Sequence, residues 1–342
     1  MHRRLNDWYQ AEVPPCAQHS RYSTQHLPKV SNRSFTAMAK STILITGCSD
    51  GGLGSALALA LHAHGGYRVF ATARNPSKLK DVKAVGIETL SLDVLSDESI
   101  EKSVAEVRDL SGGSLDVLVN NAGSGYSGAL IDTPVAEARK LFDLNVWANL
   151  ATVQAFLPLL LKSSRGGMIV NHTSLASLAT PPFLGLYGAS KVAMAKLTAN
   201  LRTELSPFGV KVVELKSGNV TSNISANLGT NAGTPSPQVP KKSLYYAARD
   251  WLNEFYTGKP LDGQAIPSDV WAKKVVAAIS KRSPPEEVWA GAFATTVWFA
   301  INYFPKSIVD KMLRDAAKFD VVEKNIREYG KEKAIADTYG KE

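Results

Sequence analysis

From Ser41 onward, short runs of apolar and β-branched residues alternate with longer stretches in which apolar positions recur every three to four residues. The runs "TILITG", "YRVFATAR", "IETLSLDV", "LDVLVNNAG", "GMIVNHTS" and "VKVVELKSG" read as six buried strands, because continuous apolar runs bounded by Gly, Asn or Asp suit a sheet covered on both faces. A seventh strand is expected at residues 287–291. Segments such as "GSALALALHAHG" and "EARKLFDLNVWANLATVQAFLPLLLK" carry the helical spacing between strands. This alternation predicts an α/β architecture: one doubly wound parallel sheet of about seven strands, with right-handed crossovers and helices on both faces. Residues 219–267 break the rhythm with a stretch rich in Gly, Pro, Ser and Asn, followed by "KKSLYYAARDWLNEFYTGKPLDG". Its aromatic and apolar positions fall at roughly helical spacing and predict a helical lid over the carboxyl edge of the sheet. Residues 305–342 read as an amphipathic, lysine-rich helical tail. The expected organisation is an arm over 1–37, one domain over 38–320 with its lid at 219–267, and a tail over 321–342.

Composition narrows the partners only a little. The chain has 342 residues, 44% of them hydrophobic, so it can bury a substantial core. A formal net charge of +8 favours anions, whether nucleic acid, an anionic membrane or a phosphorylated small molecule. No nucleic-acid recognition motif accompanies the charge, so nucleic acid is not expected as a partner. The two cysteines, Cys16 and Cys48, are too few for a disulfide framework or a cysteine-rich metal centre. No metal site is expected, since His62 and His64 lie two apart on a predicted helix and face different directions. The first 37 residues carry five Lys or Arg against two Asp or Glu and no apolar run suited to a signal peptide. They read as a disordered arm, with a mitochondrial presequence or a start at Met38 as alternatives.

Candidate chemistry begins where the first strand runs into "TGCSDGGLGSALALAL". A glycine-rich turn between a strand and an apolar helix lets the backbone approach a pyrophosphate and aims the helix N-terminus at its charge. This is a Rossmann-type dinucleotide site in prospect, with Gly47, Ser49, Gly52, Leu53 and Gly54 as candidate contacts. The second strand ends in Arg74, with no acid there to hold a ribose 2′-hydroxyl, so NADPH/NADP+ is the expected cofactor. Lys78 either assists or is an ordinary solvated charge. Asp93, at the end of the third strand, either accepts from the adenine amino group or caps the strand.

Tyr187 and Lys191 stand four apart, the tyrosine thirteen residues after Ser174. A phenol with a pKa near 10 becomes a workable general acid near neutrality when a fixed positive charge stabilises its phenolate. Four positions on a helix put the lysine on the tyrosine's face. The pattern YxxxK is common alone, but "TGCSDGGLG", "LDV", "NNAG", "LFDLNVWA", "NHTS", "YGASK" and "KSGNVTS" occur here in one order. Through these motifs the chain resembles the short-chain dehydrogenase/reductase family, strongly over about residues 41–225 and loosely over 226–320. The resemblance implies that Tyr187 is the general acid of carbonyl reduction and that Ser174 orients the carbonyl. It implies that Lys191 lowers the tyrosine pKa and holds the nicotinamide ribose, with Asn145 supporting a water-mediated proton relay. It further implies cofactor contacts by Asn120, Ala122, Gly123, Val220 and Thr221. Two departures stand out: the glycine loop is one residue longer than the family's TGxxxGxG, bringing Asp50 near the expected phosphate, and Ser217-Gly218 replaces the usual Pro-Gly, predicting a looser turn.

The substrate must be read from the C-terminal region. Tyr245, Tyr246, Trp251, Phe255 and Tyr256, close to Lys241, Lys242 and Arg249, form either a greasy channel with a cationic mouth or a lid helix with one core face and one solvated face. The run "VWAGAFATTVWFAINYF" at 288–304 is too short to span a bilayer, and reads either as buried strand and helix or as an interfacial element flanked by Lys306, Lys311, Arg314 and Lys318. Within the family, the glycine loop and the "VWAG" region are most similar to fungal NADPH-dependent 1-acyldihydroxyacetone-phosphate reductases. That likeness implies reduction of a hydrophobic or lipid ketone at the surface of the endoplasmic reticulum or lipid droplets, or in the cytoplasm otherwise. Ketoreduction in secondary metabolism, oxidation of steroid-like or retinoid-like alcohols, and a non-catalytic NADPH-binding scaffold are the alternatives. The resemblance also implies a homodimer built on the helices around "LFDLNVWANLATVQAF" and "YGASKVAMAKLTANLRTEL", with a monomer as the alternative for a membrane-bound member.

Overall fold

The computed structural model describes residues 40–222, 238–258 and 264–340. The arm over 1–37, part of the 219–267 lid and the last two residues lie outside the described residues.

Seven strands form one parallel sheet: β1 (Ser41–Ile45), β2 (Tyr67–Ala73), β3 (Glu88–Ser91), β4 (Val117–Asn120), β5 (Met168–His172), β6 (Lys211–Ser217) and β7 (Glu287–Ala290), in the order β3-β2-β1-β4-β5-β6-β7. All seven expected strands are present. The order reverses between β1 and β4, the point at which the carboxyl ends of adjacent strands diverge and leave a crevice for ligand. Helices α1 (Leu53–His64), α2 (Lys80–Ala84), α3 (Asp97–Ser111), α4 (Val135–Phe142), α5 (Ala148–Leu160), α6 (Gly185–Leu205), α7 (Arg249–Tyr256) and α8 (Ser268–Ile279) connect and cover them.

Alternation along each strand sorts the core into two layers. Ile43, Ile45, Val69, Val119, Val170, Val213 and Leu215 pack with Leu57 and Leu61 of α1 and Trp271 and Val275 of α8. Leu44, Phe70, Leu118, Ile169 and Val212 pack on the other side with Ile100, Val104 and Val107 of α3 and Phe156 of α5. Strands covered on both faces have no position to spare for polar side chains, so the period-two signal vanishes and the runs become uniformly apolar. Polar side chains inside such strands, notably Asn171, His172, Glu214 and Lys216, therefore need partners. Each has one: the buried Lys216 bridges Glu214 at 2.6 Å and Glu287 at 2.8 Å.

A third cluster lies over the carboxyl edge. Leu252, Phe255 and Tyr256 of α7 pack with Ala129, Phe183, Ala317 and Val322, the last from a helix at Phe319–Tyr329. Phe183 holds a left-handed backbone (φ +68°) that costs a bulky residue energy, and the rings of Tyr245, Phe255, Tyr256 and Phe319 surround its side chain at 5.3–6.4 Å. The aromatic residues of 245–256 thus give the lid its own core, the second of the two readings offered by the sequence.

Beyond β7 follow α9 (Ala294–Tyr303), α10 (Lys306–Ala316), α11 (Phe319–Tyr329) and α12 (Lys331–Tyr339). Among the described residues no helix is long and apolar enough to cross a membrane.

Candidate active site

The glycine loop leads into a helix end that no side chain occupies. Gly52 is the N-cap of α1, makes no side-chain cap and is followed by no acid in the first turn, so the positive end of the helix is left for an anion. Gly47 has φ +72°, and a Cβ on Gly54 would lie 2.5 Å from the Gly47 carbonyl oxygen, so only glycine allows the turn and helix to close this tightly. Cys48 belongs to the core: it is fully buried, its thiol donates to the Ile45 carbonyl at 3.3 Å, and burial pushes its pKa up to about 12. The longer loop resolves the concern over Asp50. Its carboxylate accepts from the Lys80 and Asp81 amides at 3.1 and 3.0 Å, capping α2. Gly52 N donates to Ser49 O at 3.0 Å, which closes the turn before α1.

At the end of β2, Arg74 is exposed and forms no ion pair among the described residues. Asp93 caps its own turn, accepting from Leu95 N at 3.1 Å. These features suit a dinucleotide whose pyrophosphate meets α1 and whose adenosine ribose faces Arg74.

The catalytic candidates converge on the carboxyl ends of β4, β5 and β6. Ser174 follows β5, and its hydroxyl accepts from Ala176 N at 3.1 Å while sharing a hydrogen bond with Tyr187. Tyr187 and Lys191 lie one turn apart on α6, with the lysine nitrogen 5.8 Å from the tyrosine ring centroid. Lys191 is buried and donates to the His172 carbonyl at 3.0 Å. Between α4 and α5 the helix widens at Asp143–Trp147 into a π-turn, a distortion that helices carry mostly at functional sites. There the fully buried Asn145 donates to Ser124 O at 2.9 Å and to Ser190 Oγ at 3.1 Å, and accepts from Ser124 N at 2.9 Å. The position of a Cβ on Gly123 would be 3.1 Å from Asn145 Oδ1 and 3.7 Å from Lys191 Nζ, so Gly123, Asn145 and Lys191 share one small space.

Asn120 ties strands together, donating to Asn171 Oδ1 at 3.0 Å, and Ala122 N donates to Thr46 Oγ1 at 2.9 Å. Val220 bridges to Ile266, and Thr221 N donates to Ile266 O at 2.9 Å. The expectation of a loose turn at Ser217-Gly218 is corrected. Ser217 is buried and bonded to His172 and Trp271, Gly218 N donates to Ala290 O at 2.8 Å, and a Cβ on Gly218 would collide with Ala292 O.

Burial dominates the titrations here. It raises the Tyr187 pKa, an effect the Ser174 hydrogen bond opposes, so the phenol holds its proton near neutrality. It pulls Lys191 down to about 8. Burial, then the Lys191 charge, lowers His172 to about 3 and keeps it neutral. A protonated phenol beside a serine hydroxyl and a lysine cation can orient a carbonyl oxygen and supply it with a proton.

Sequence reasoning missed His172, Ser190, Asn121 and Asn149. Asn149 donates to the Asn145 carbonyl at 2.8 Å, and Ser190 donates to Tyr187 O at 2.7 Å. The available signal was a polar residue inside an apolar run.

Residues 41–233 match the short chain dehydrogenase family. The chain belongs to that family. This dehydrogenase is 43% identical over 289 residues to a short-chain dehydrogenase/reductase of Pestalotiopsis microspora, covering 84% of this chain and 98% of that one. It is 35% identical over 260 residues to an NADPH-dependent 1-acyldihydroxyacetone phosphate reductase of Schizosaccharomyces pombe, covering 74% and 86%. Among solved structures it resembles a short-chain dehydrogenase from Streptomyces avermitilis (TM-score 0.65, 28% identity, covering 84% and 98%). It also resembles an alcohol dehydrogenase from Thermococcus sibiricus complexed with 5-hydroxy-NADP (TM-score 0.58, 26% identity, covering 75% and 98%). Membership makes this chain an NAD(P)-dependent oxidoreductase acting on CH–OH or C=O groups of a small molecule.

Proposed function

We propose that this dehydrogenase is an NADPH-dependent reductase of a hydrophobic ketone. The observation that carries the reading is a proton-bearing Tyr187, hydrogen-bonded to Ser174 and one helical turn from Lys191, combined with an exposed Arg74 that forms no ion pair among the described residues, where a 2′-phosphate would lie. When bound, the nicotinamide supplies the hydride. Ser174 holds the carbonyl oxygen, Tyr187 delivers the proton, and Lys191, fixed by the His172 carbonyl, supplies positive charge and a donor for the ribose. Asn145 connects this group to the backbone at Ser124. Val220 and Thr221, anchored on Ile266, would hold the carboxamide, and Gly47, Ser49, Gly52, Leu53 and Gly54 would hold the pyrophosphate.

For substrate, the best match is 1-acyldihydroxyacetone phosphate, reduced to 1-acylglycerol 3-phosphate. Its support is the likeness to the Schizosaccharomyces pombe reductase and the exposed Lys241 at the lid. The same reading has a lipid surface meeting α9, where Trp298, Phe299 and Tyr303 are 42%, 47% and 63% exposed, next to Lys306. The endoplasmic reticulum and lipid droplets are its expected locations. A homodimer through α5 and α6 belongs to this reading as well, the flanking Trp147 and Val192 of α6 being about half exposed.

The test is loss of NADPH absorbance with 1-acyldihydroxyacetone phosphate and with a panel of apolar ketones, for wild type and Tyr187→Phe. Turnover of the lipid, abolished in the variant, supports the whole reading. Turnover of other ketones alone removes the lipid, and NADPH binding without turnover of any ketone favours a scaffold.

A further inference from the structure

Five side chains from five separate segments, Thr46, Ser217 and Trp271 buried and Asn121 and His172 half-buried, form one line across the carboxyl edge of the sheet. Trp271 of α8 donates its indole N–H to Ser217 Oγ at 2.9 Å, and Ser217 Oγ lies 2.7 Å from His172 Nε2. His172 Nδ1 lies 3.0 Å from Asn121 Oδ1, and Asn121 Nδ2 reaches the carbonyls of Thr46 and Gly47 at 2.8 and 3.0 Å. Thr46 Oγ1 in turn accepts from the amides of Asn121 and Ala122, both at 2.9 Å. The His172 and Trp271 rings stack, with centroids 5.5 Å apart and 24° between planes.

The donors and acceptors fit in only one order. An indole nitrogen only donates, so Ser217 accepts from Trp271, and a neutral imidazole that donates from Nδ1 takes the Ser217 hydrogen at Nε2. The amide nitrogen of Asn121 faces two carbonyls, so its oxygen faces the imidazole and accepts. His172 is therefore the neutral Nδ1–H tautomer, satisfied on both nitrogens, in keeping with a pKa lowered to about 3.

What this line joins gives it a role. One end is the start of the phosphate loop at Thr46 and Gly47. Toward the other end, beside Trp271, is Ser217, the first residue of the turn 217–221, which bears Val220 and Thr221. In the middle, the backbone of His172 accepts Lys191 Nζ at 3.0 Å. Gly218 lies so close to Ala292 that a Cβ there would collide with its carbonyl oxygen, and Ser217 precedes it directly.

We propose that His172 and Ser217 are positioning residues for the dinucleotide, holding the nicotinamide-side turn 217–221 in fixed register with the phosphate loop. The proposal rests on the reading of this crevice as the dinucleotide site, and it adds a specific pair that sets the nicotinamide half. Without the Ser217 hydroxyl the turn is no longer tied to His172 and Trp271, so cofactor binding must order it, and the loss of one such tie corresponds to about tenfold in affinity.

The experiment is titration of NADPH, NADH and adenosine 2′,5′-bisphosphate into wild type, Ser217→Ala, His172→Phe and the double variant, all with intact melting transitions. His172→Phe keeps the ring stacked on Trp271 and removes both nitrogens. The expected result is NADPH binding weakened about tenfold by Ser217→Ala, with the bisphosphate, which lacks the nicotinamide half, bound as in wild type. The double variant binds NADPH no more weakly than the worse single variant, because both cut the same line. In wild type, the imidazole nitrogen shifts of His172 report the Nδ1–H tautomer. Unchanged NADPH affinity in Ser217→Ala, equal loss of NADPH and bisphosphate, additive single effects or an Nε2–H tautomer would each overturn the proposal. A wild type that prefers NADH overturns the cofactor reading at Arg74, and the variants are then scored with NADH against the same criteria.

Discussion

The active-site edge and the lid occupy the same end of the sheet and are built on opposite principles. At the edge, Ser174, Asn145, Lys191 and His172 are held by short hydrogen bonds to backbone and to each other, from elements far apart in sequence. Over it, Phe183, Phe255, Tyr256 and Phe319 hold the lid chiefly by ring packing, with Tyr256 Oη also accepting from Ala129 N at 3.1 Å. Hydrogen bonds fix direction to within tenths of an ångström, which proton transfer demands, whereas apolar contacts are non-directional and tolerate substitution of similar volume. The difference teaches that substitutions in the two regions fail in different quantities: rate or cofactor affinity at the edge, stability in the lid.

That contrast can be broken in graded steps. Tyr187→Phe removes only the proton-bearing oxygen, so turnover falls by about 100-fold to 10,000-fold while NADPH affinity and melting temperature stay near wild type. A comparable fall in melting temperature would show that the edge is also structural. Phe255→Ala empties the middle of the lid core and costs roughly 3–5 kcal/mol of stability, read from denaturant midpoints. Unchanged stability would mean that the lid does not fold with the sheet. Arg74→Ala raises the KM for NADPH about tenfold or more and leaves that for NADH unchanged, loss of one charge-assisted phosphate contact being the cause. An equal effect on both coenzymes would place the 2′-phosphate elsewhere.

Lys191 gives a smaller effect with a definite sign. Its folded pKa, about 8, lies below the ordinary 10.5, so the unfolded chain binds the extra proton between those values. Stability contributed by this group therefore rises as pH increases from about 8 to 10.5, and Lys191→Met abolishes that rise relative to wild type. A wild-type curve that is flat or falling relative to the variant would contradict the burial of a charged lysine. The smallest expected change is in vesicle binding: Trp298→Ser with Phe299→Ser reduces sedimentation with anionic liposomes without altering turnover of a water-soluble ketone. Unaltered sedimentation would leave α9 outside any membrane contact.

Much of the architecture was legible because it is written in local patterns. The five inner strands appeared as apolar runs because both faces of the sheet are covered there, and Tyr187 and Lys191 were joined by helical spacing alone. The glycine loop was visible, but what Asp50 does in it was not, because its partners at Lys80 and Asp81 belong to the next crossover. The same holds for the turn at Ser217. Without proline it read as loose, and it is fixed by His172 and Trp271, one from a neighbouring strand and one from a helix 54 residues further along the chain.

The sequence by itself determined the layered sheet, the helix that follows the glycine loop, and the spacing of the tyrosine and lysine on one helical face. These depend on periodicity and on residues within one or two turns of each other. Only the tertiary structure decided which polar groups are satisfied: the tautomer of His172, the seating of Lys191 on a strand carbonyl, and the diversion of Asp50 to cap α2. A hydrogen bond needs both partners placed within about 3 Å, and for groups that meet across strands and helices that placement exists only once the chain has folded.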